Sequence, residues 1–155
     1  MDDVARRFVD QMGVLSEEDG LPRIAGRIFG YLLLQPDARS LDQIADALDV
    51  SRASVSTDAR RLVEIQLLER RSRPGDRRDY YVIAEGGFRR VIERRIRSIR
   101  QFHDLLLSTL AHPALAPAVR QRLAVWDSAY EELLRAFTSV LERLDAASSQ
   151  RAEGG

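Results

Sequence analysis

Three features of the 155-residue chain predict a mainly α fold: a winged helix-turn-helix with a two-stranded β-wing and long terminal helices. Two short amphipathic segments follow one another at 41–48 and 52–66, each introduced by a serine. Two Arg-rich, strand-like runs at 67–73 and 77–83 flank a Pro-Gly-Asp turn. A heptad repeat then occupies the C-terminal third. The length and a hydrophobic share of 45% suit one ordinary globular domain.

Composition removes several function classes. There is no Cys, which excludes disulfides, thiolate metal sites and thiol switches. No apolar run approaches the roughly 20 residues of a bilayer span, and the acidic start Met1-Asp2-Asp3 lacks the pattern of a signal peptide, so a cytoplasmic protein without membrane contact is expected. Every one of the 24 basic residues is Arg, a planar fork suited to phosphate. The net charge of zero hides a strong asymmetry. Residues 1–50 carry five Arg and ten acids, residues 51–100 fourteen Arg and seven acids, and residues 101–155 five Arg and seven acids. A basic middle third between acidic flanks is an electrostatic footprint for nucleic acid, although a solvated, salt-bridged helix surface has the same signature.

The first helix is expected from Asp2 to about Val14, where Val4, Ala5, Phe8, Val9 and Met12 recur at helical spacing, and Gly13 with the run Ser16-Glu17-Glu18-Asp19-Gly20 ends it. Pro22 suits the opening turn of a second helix, with Ile24, Ala25, Ile28, Phe29, Leu32 and Leu33 buried and a stop before Pro36. Gly26 and Gly30 in this helix invite the close approach of another. Ser40 is a natural N-cap for 41–48, with Gln43 at the capping-box position and Leu41, Ile44, Ala45 and Leu48 on one face. After Asp49-Val50, Ser51 caps the next helix, where Val55, Ala59, Leu62 and Gln66 share a face and leave Arg52, Ala53, Ser54, Thr57, Arg60, Arg61 and Glu64 facing outward or sideways.

Two short helices joined by a tight turn, the second polar on its outer face, form a helix-turn-helix. Beyond Pro74-Gly75-Asp76 the second wing strand begins, and a long helix is expected from about Gly86 to Ala111 with the stripe Phe88, Ile92, Ile96, Ile99, Phe102, Leu106 and Leu110. Pro113 and Pro117 mark a corner. In the last helix Val119, Leu123, Trp126, Tyr130, Leu133, Phe137, Val140 and Leu144 alternate at four and three residues, a heptad seam that demands a partner helix. A second copy of the chain is the expected partner, and Phe8, Ile99, Leu106, Leu123, Trp126, Tyr130, Leu133, Phe137 and Val140 are the expected dimer contacts.

The domain plan that results has a dimerisation helix at 1–19, a DNA-binding region at 20–85, dimerisation helices at 86–147 and a disordered tail at 148–155.

With these residues in place, the chain resembles the MarR family of winged-helix regulators and, within it, the GbsR-like branch. The resemblance rests on the segment from Gly20 to Gly30, on Ser51-Arg52-Ala53-Ser54-Val55-Ser56, and on Pro74-Gly75-Asp76-Arg77-Arg78-Asp79-Tyr80-Tyr81. It implies a homodimer on a pseudo-palindromic operator in double-stranded DNA, a recognition helix in each major groove and a wing in the adjacent minor groove. It also implies a small effector near the junction of the dimer and DNA-binding regions. One position departs from the pattern: Gln66 stands where the family usually has Gly at the end of the recognition helix.

The candidate DNA contacts are Ser51, Arg52, Ala53, Ser54, Thr57, Arg60 and Arg61 on the recognition helix. Ser51 serves chiefly as a cap. Arg77, with Arg73 and Arg78, would serve at the wing. Phe102, His103, Trp126 and Tyr130 are candidate effector contacts, an aromatic set that equally suits plain core packing. No catalytic residue, metal site or cofactor is expected: His103 and His112 do not share a helical face, and neither a nucleophile elbow nor a phosphate-cradling Gly loop occurs. A winged helix used only for protein contact, and a small enzyme or ligand carrier, are the alternative readings.

Overall fold

The computed structural model describes the backbone of residues 1–153 and side chains through Ala146. The chain divides into two units, Met1–Gly87 and Phe88–Gly155. The first holds α1 (Asp3–Glu18), α2 (Arg23–Leu33), β1 (Arg39–Ser40), α3 (Leu41–Leu48), α4 (Arg52–Glu64), β2 (Leu68–Arg73) and β3 (Asp76–Ile83). Helices α5 (Gly87–Leu110) and α6 (Pro117–Glu153) follow.

Helix α1 is capped by Asp2, whose carboxylate accepts from the Ala5 amide at 2.8 Å. It does not end at Gly13. That glycine is buried inside the helix, at a site where a Cβ would stand 2.8 Å from Arg27 Cγ. Its role is spatial, and the helix runs another turn and a half until Gly20, at φ +79, closes it. There the Gly20 and Leu21 amides donate back to the Glu17 and Ser16 carbonyls in the double bond pattern of a glycine-ended helix. Gly26 and Gly30 of α2 meet the same partner. A Cβ on Gly26 would overlap Ser16 Oγ and the Met12 carbonyl, and one on Gly30 would lie 2.9 Å from Met12 Cβ. The close approach expected of this glycine pair is therefore made by α1.

The core of this unit gathers Val9 from α1, Ala25, Ile28 and Leu32 from α2, Leu41, Ile44, Ala45 and Leu48 from α3, Val55, Ala59 and Leu62 from α4, and Leu68 and Tyr81 from the sheet. All four apolar positions expected of α3 are buried. In α2 the periodic set shifts by one edge: Tyr31 is buried while Leu33 faces outward.

The sheet has three antiparallel strands in the order β1-β3-β2 rather than two. Strand β1 is too short for a period to show in sequence, and it pairs Arg39 with Tyr81 and Ser40 with Tyr80. Ser40 thereby ends a strand and caps α3, in a complete capping box with Gln43. In the hairpin, Arg73 pairs with Asp76 around Pro74 and Gly75, and a bulge interrupts the register between Arg71 and Arg73. Gly75 at φ +79 supplies the left-handed position the turn requires.

In the second unit α5 and α6 lie antiparallel. Arg89 Nε is 2.7 Å from the Asp145 carboxylate near one end. Near the other, Arg120 Nη2 donates to the His112 carbonyl at 3.0 Å, and its Nη1 to that of Leu110. Ile92, Ile96, Ile99 and Leu106 are buried within a single chain. Ile99 and Leu106, two of the expected dimer contacts, are thus already covered within the chain itself. Helix α6 continues through Glu153, past Ser148 where a tail was expected, because no Gly or Pro interrupts it before Gly154. The last two positions of that expected tail lie outside the described residues.

Candidate nucleic-acid interface

Helix α4 is oriented by what it buries. Val55, Ala59 and Leu62 are fully enclosed, which turns the residues between them outward. Ser51 caps the helix by accepting from the Ser54 amide at 3.1 Å, and its hydroxyl also meets Ser54 Oγ at 2.8 Å. Ser54 is therefore partly engaged by the cap. Ala53 is exposed and offers no polar atom. Thr57 donates its hydroxyl to the Ala53 carbonyl, which leaves its methyl group and an oxygen lone pair facing out. Arg60 Nε donates to the Ser56 carbonyl at 3.1 Å, so its stem is held along the helix.

Two carboxylates missed in the sequence reading set the remaining arginines. Asp42, at the start of α3, holds Arg52 Nε at 2.7 Å. Asp58, on the inner side of α4, is only 7% exposed and lies 3.9 Å from Arg61. Burial pushes the Asp58 carboxyl above its ordinary range, against the opposing pull of Arg61. Helical spacing does place Asp58 next to Ala59 and Leu62, but a charged residue there gives no apolar signal to detect.

At the other end of α4 the chain leaves through Gln66 at φ 62. The Gln66 and Leu67 amides donate to the Val63 and Leu62 carbonyls, so the left-handed helix end usually built on glycine is kept with a side chain present.

The wing is ordered by Asp76. Its carboxylate accepts from the Arg78 amide and guanidinium at 2.7–3.1 Å and from the Tyr80 hydroxyl at 2.7 Å. These bonds, those from Arg78 foremost, hold the Asp76 carboxyl well below the usual carboxylate range and raise the Arg78 guanidinium. Arg73 stacks over the Tyr80 ring at 4.0 Å. Arg70 and Arg71 pair with Asp79 and Glu69. Arg77 differs from all of these: among the described residues it makes no hydrogen bond or ion pair, and it is exposed on β3 one residue beyond the turn. Arg52, Arg77 and Arg78 line one recess of about 150 Å³ together with Asp42 and Asp79. The structure thus brings the start of α4 and the wing to one surface.

The aromatic set expected in the second unit is also assembled. Phe102 and Tyr130 have ring centroids 4.6 Å apart, and Trp126 stands 6.4 Å from each. Trp126 is 53% exposed, so the cluster lies at the surface and is not enclosed. Beside it His103 Nε2 lies 3.0 Å from the Asp127 carboxylate, a half-buried polar pair that occupies the imidazole. Along the heptad seam Trp126 and Leu133 are exposed, and Leu123, Tyr130, Phe137 and Val140 are half-buried. On α1 Phe8 is exposed.

Among the described residues no three His, Asp or Glu side chains converge as metal ligands, and no helix is long and apolar enough to cross a membrane.

The model of the MarR family matches residues 19–79, from the end of α1 through the turn of the wing. The HTH-type transcriptional regulator MmpR5 of Mycobacterium tuberculosis is 37% identical over 116 residues, which span 74% of this chain and 70% of that protein. A crystal structure of a transcriptional regulator superposes with a TM-score of 0.67 at 31% identity, over 92% of this chain and 98% of the other.

Proposed function

The chain belongs to the MarR family of DNA-binding transcriptional regulators, and from that premise we propose that it is a homodimeric repressor of a pseudo-palindromic operator, relieved by a small ligand. The observation that carries this reading is the recess that Arg52 at the start of α4 shares with Arg77 and Arg78 on the wing, with Thr57 and Arg60 also exposed on α4. An outer face of exposed guanidinium groups is set on a fully buried inner one. The N-terminal part of α4 enters the major groove, Arg60 and Arg61 meet backbone phosphates, and the wing follows the adjacent minor groove. Ser51 caps α4 in this arrangement, and Arg73 and Arg78 brace the wing through Tyr80 and Asp76. The segment from Gly20 to Gly30 supports a place in the GbsR-like branch. The chain acts in the cytoplasm. Selection of binding sites from random duplexes tests the whole reading: an inverted repeat with half-sites about 10 base pairs apart, or a multiple of that, is expected. A selected site without a repeat overturns it.

Arg52 and Arg60 separate the two kinds of contact. Arg60→Ala is expected to weaken binding to all sequences about equally and to lower the salt slope by about one unit. Arg52→Ala is expected to flatten the preference at one base position per half-site, with a discrimination loss of about 1–3 kcal/mol. Binding isotherms across salt, on the selected site and its single-base variants, distinguish them.

Arg77 gives a third expectation. A guanidinium without an internal partner is free to enter a narrow A·T-rich minor groove, where the negative potential is strongest. Arg77→Ala should therefore cost more affinity on operators with A·T-rich flanks than on the same operators with G·C-rich flanks. Equal losses on both would make Arg77 a phosphate contact.

The effector is assigned to the surface of Phe102, Trp126 and Tyr130, where aromatic faces suit a cation and His103 adds a polar edge.

A further inference from the structure

Asp42 stands in the first turn of α3, just inside the Ser40 cap, and its carboxylate reaches across the α3–α4 turn to Arg52, the first residue of the recognition helix. The atom it meets, at 2.7 Å, is Nε, and both side chains are more than half exposed. The Arg52 guanidinium has no other partner among the described residues. The remaining arginines of α4 are placed differently. Arg60 lies along its own helix through the Ser56 carbonyl, and Arg61 faces Asp58 one turn away. Among the described residues of α4, Arg52 is thus the arginine held from a second helix.

On its other side Asp42 faces the wing, since it lines the recess shared by Arg52, Arg77 and Arg78. The Arg78 guanidinium is raised chiefly by its bonds to Asp76, and Asp42 adds a smaller pull of the same sign. A carboxylate at the rim of a DNA-binding surface is repelled by phosphate, so its charge opposes the binding of any duplex. Its contribution is order. An arginine at the start of a recognition helix loses rotamer freedom when it docks on a base, and a partner that already holds it lowers that loss. An ion pair through Nε leaves the two terminal nitrogens, Nη1 and Nη2, as the fork that matches the O6 and N7 acceptors of guanine.

We propose that Asp42 is a positioning residue for base readout: it fixes Arg52 with its Nη fork toward the major groove and so sets a preference for guanine at one position of each half-site, while its charge opposes binding to unrelated duplex. The inference rests on the major-groove reading of α4 and adds to it a residue outside the recognition helix that touches no base.

Competition binding on the selected operator and its single-base variants tests this, with Arg52→Ala, Asp42→Asn, Asp42→Glu and the double variant Asp42→Asn/Arg52→Ala beside the wild type. Asp42→Asn is expected to lower the preference for guanine about fivefold or more, at the position that Arg52→Ala flattens. It should also strengthen binding to duplex without the site at low salt, a gain that fades at high salt. In the double variant the preference should fall no further than in Arg52→Ala alone. Asp42→Glu returns the charge within reach of Arg52 and should recover part of the preference. The capping box of Ser40 and Gln43 remains in every variant, so melting temperatures should stay near that of the wild type. A helix that merely lost stability would not change which base is preferred. Unchanged preference in Asp42→Asn, with tighter binding to every duplex, would make Asp42 a repulsive charge only, and a sharper preference would make it a mask over Arg52. Flattening at a different position, or a Glu variant no better than Asn, would dissociate it from Arg52. Each of these results, beside an Arg52→Ala that flattens its own position, overturns the proposal and leaves the DNA reading intact. If Arg52→Ala alters no position, the base contact itself fails and this role of Asp42 fails with it.

Discussion

Replacing Gly26 by alanine is expected to destabilise the first unit by about 2 kcal/mol, although it adds a better helix former to the middle of a helix. Propensity alone predicts the opposite sign, a gain of about 1 kcal/mol from Gly to Ala. The Cβ, however, would overlap the Met12 main-chain carbonyl as well as Ser16 Oγ, with Ser16 Cβ only 2.6 Å away. A side chain can rotate out of the way. The carbonyl moves only if α1 moves, and Gly13 and Gly30 pin that helix against α2 at the same crossing. Overpacking of a site that cannot relax costs about 1–3 kcal/mol, and the presence of backbone places this one at the upper end, so the clash outweighs the propensity. Gly20→Ala is the control. It has open space around it and a left-handed φ, so its cost is the backbone strain of about 1 kcal/mol and nothing from packing. Urea unfolding at one fixed protein concentration checks both, since dimer stability varies with concentration. A Gly26→Ala midpoint at or above that of the wild type would show that α1 is not held against α2 as described.

The same comparison shows what a sequence can and cannot disclose here. Helix α3 was legible to the residue because three independent signals coincide: the Ser40 cap, Gln43 at its capping-box position, and Leu41, Ile44, Ala45 and Leu48 on one face. The hairpin was legible because Pro74-Gly75 admits few backbones. Gly13 misled because a glycine inside a helix looks like a stop whether it ends the helix or admits a neighbour, and only the partner's position distinguishes the two. Strand β1, two residues long, has no period to detect.

The candidate site shows the same division. That Arg52, Arg77 and Arg78 are basic and exposed follows from pattern. That Asp42 holds Arg52 across the α3–α4 turn, that Asp76 holds Arg78 within β3 and that no side chain among the described residues holds Arg77 depends on side-chain geometry that pattern does not carry. The chemical difference among three adjacent-looking arginines is therefore a property of the fold. It also explains why a basic third of the chain does not supply fourteen equivalent DNA contacts, since several of its guanidinium groups are already neutralised in place.

Leu133→Arg is expected to have the largest effect on function, through a surface remote in sequence from the recognition helix. Leu133 lies on the heptad seam of α6 and is 42% exposed in the single chain, beside half-buried Tyr130 and Phe137. Part of the seam is covered by α5, since Phe102 packs on Tyr130 and stands edge-on to Trp126. The uncovered part needs the matching surface of a second copy. A guanidinium in such a seam must be desolvated without a partner, at a cost of several kcal/mol for each of the two copies brought together. The variant should sediment as a monomer at micromolar concentration, where the wild type is expected to be a dimer. Its operator affinity should fall by about a hundredfold or more, because two half-sites are no longer engaged by one molecule. Val125→Arg provides the discriminating control. Val125 is also on α6 and more exposed, at 68%, but it stands off the heptad seam. An exposed apolar side chain away from an interface tolerates substitution within about 0.5 kcal/mol. If both arginines leave the dimer and its operator affinity intact, the seam is not the interface. If both abolish it, the interface is wider than the heptad pattern defines. Loss with Leu133→Arg alone assigns the contact to the seam, and with it the requirement that two copies of the chain meet the DNA together.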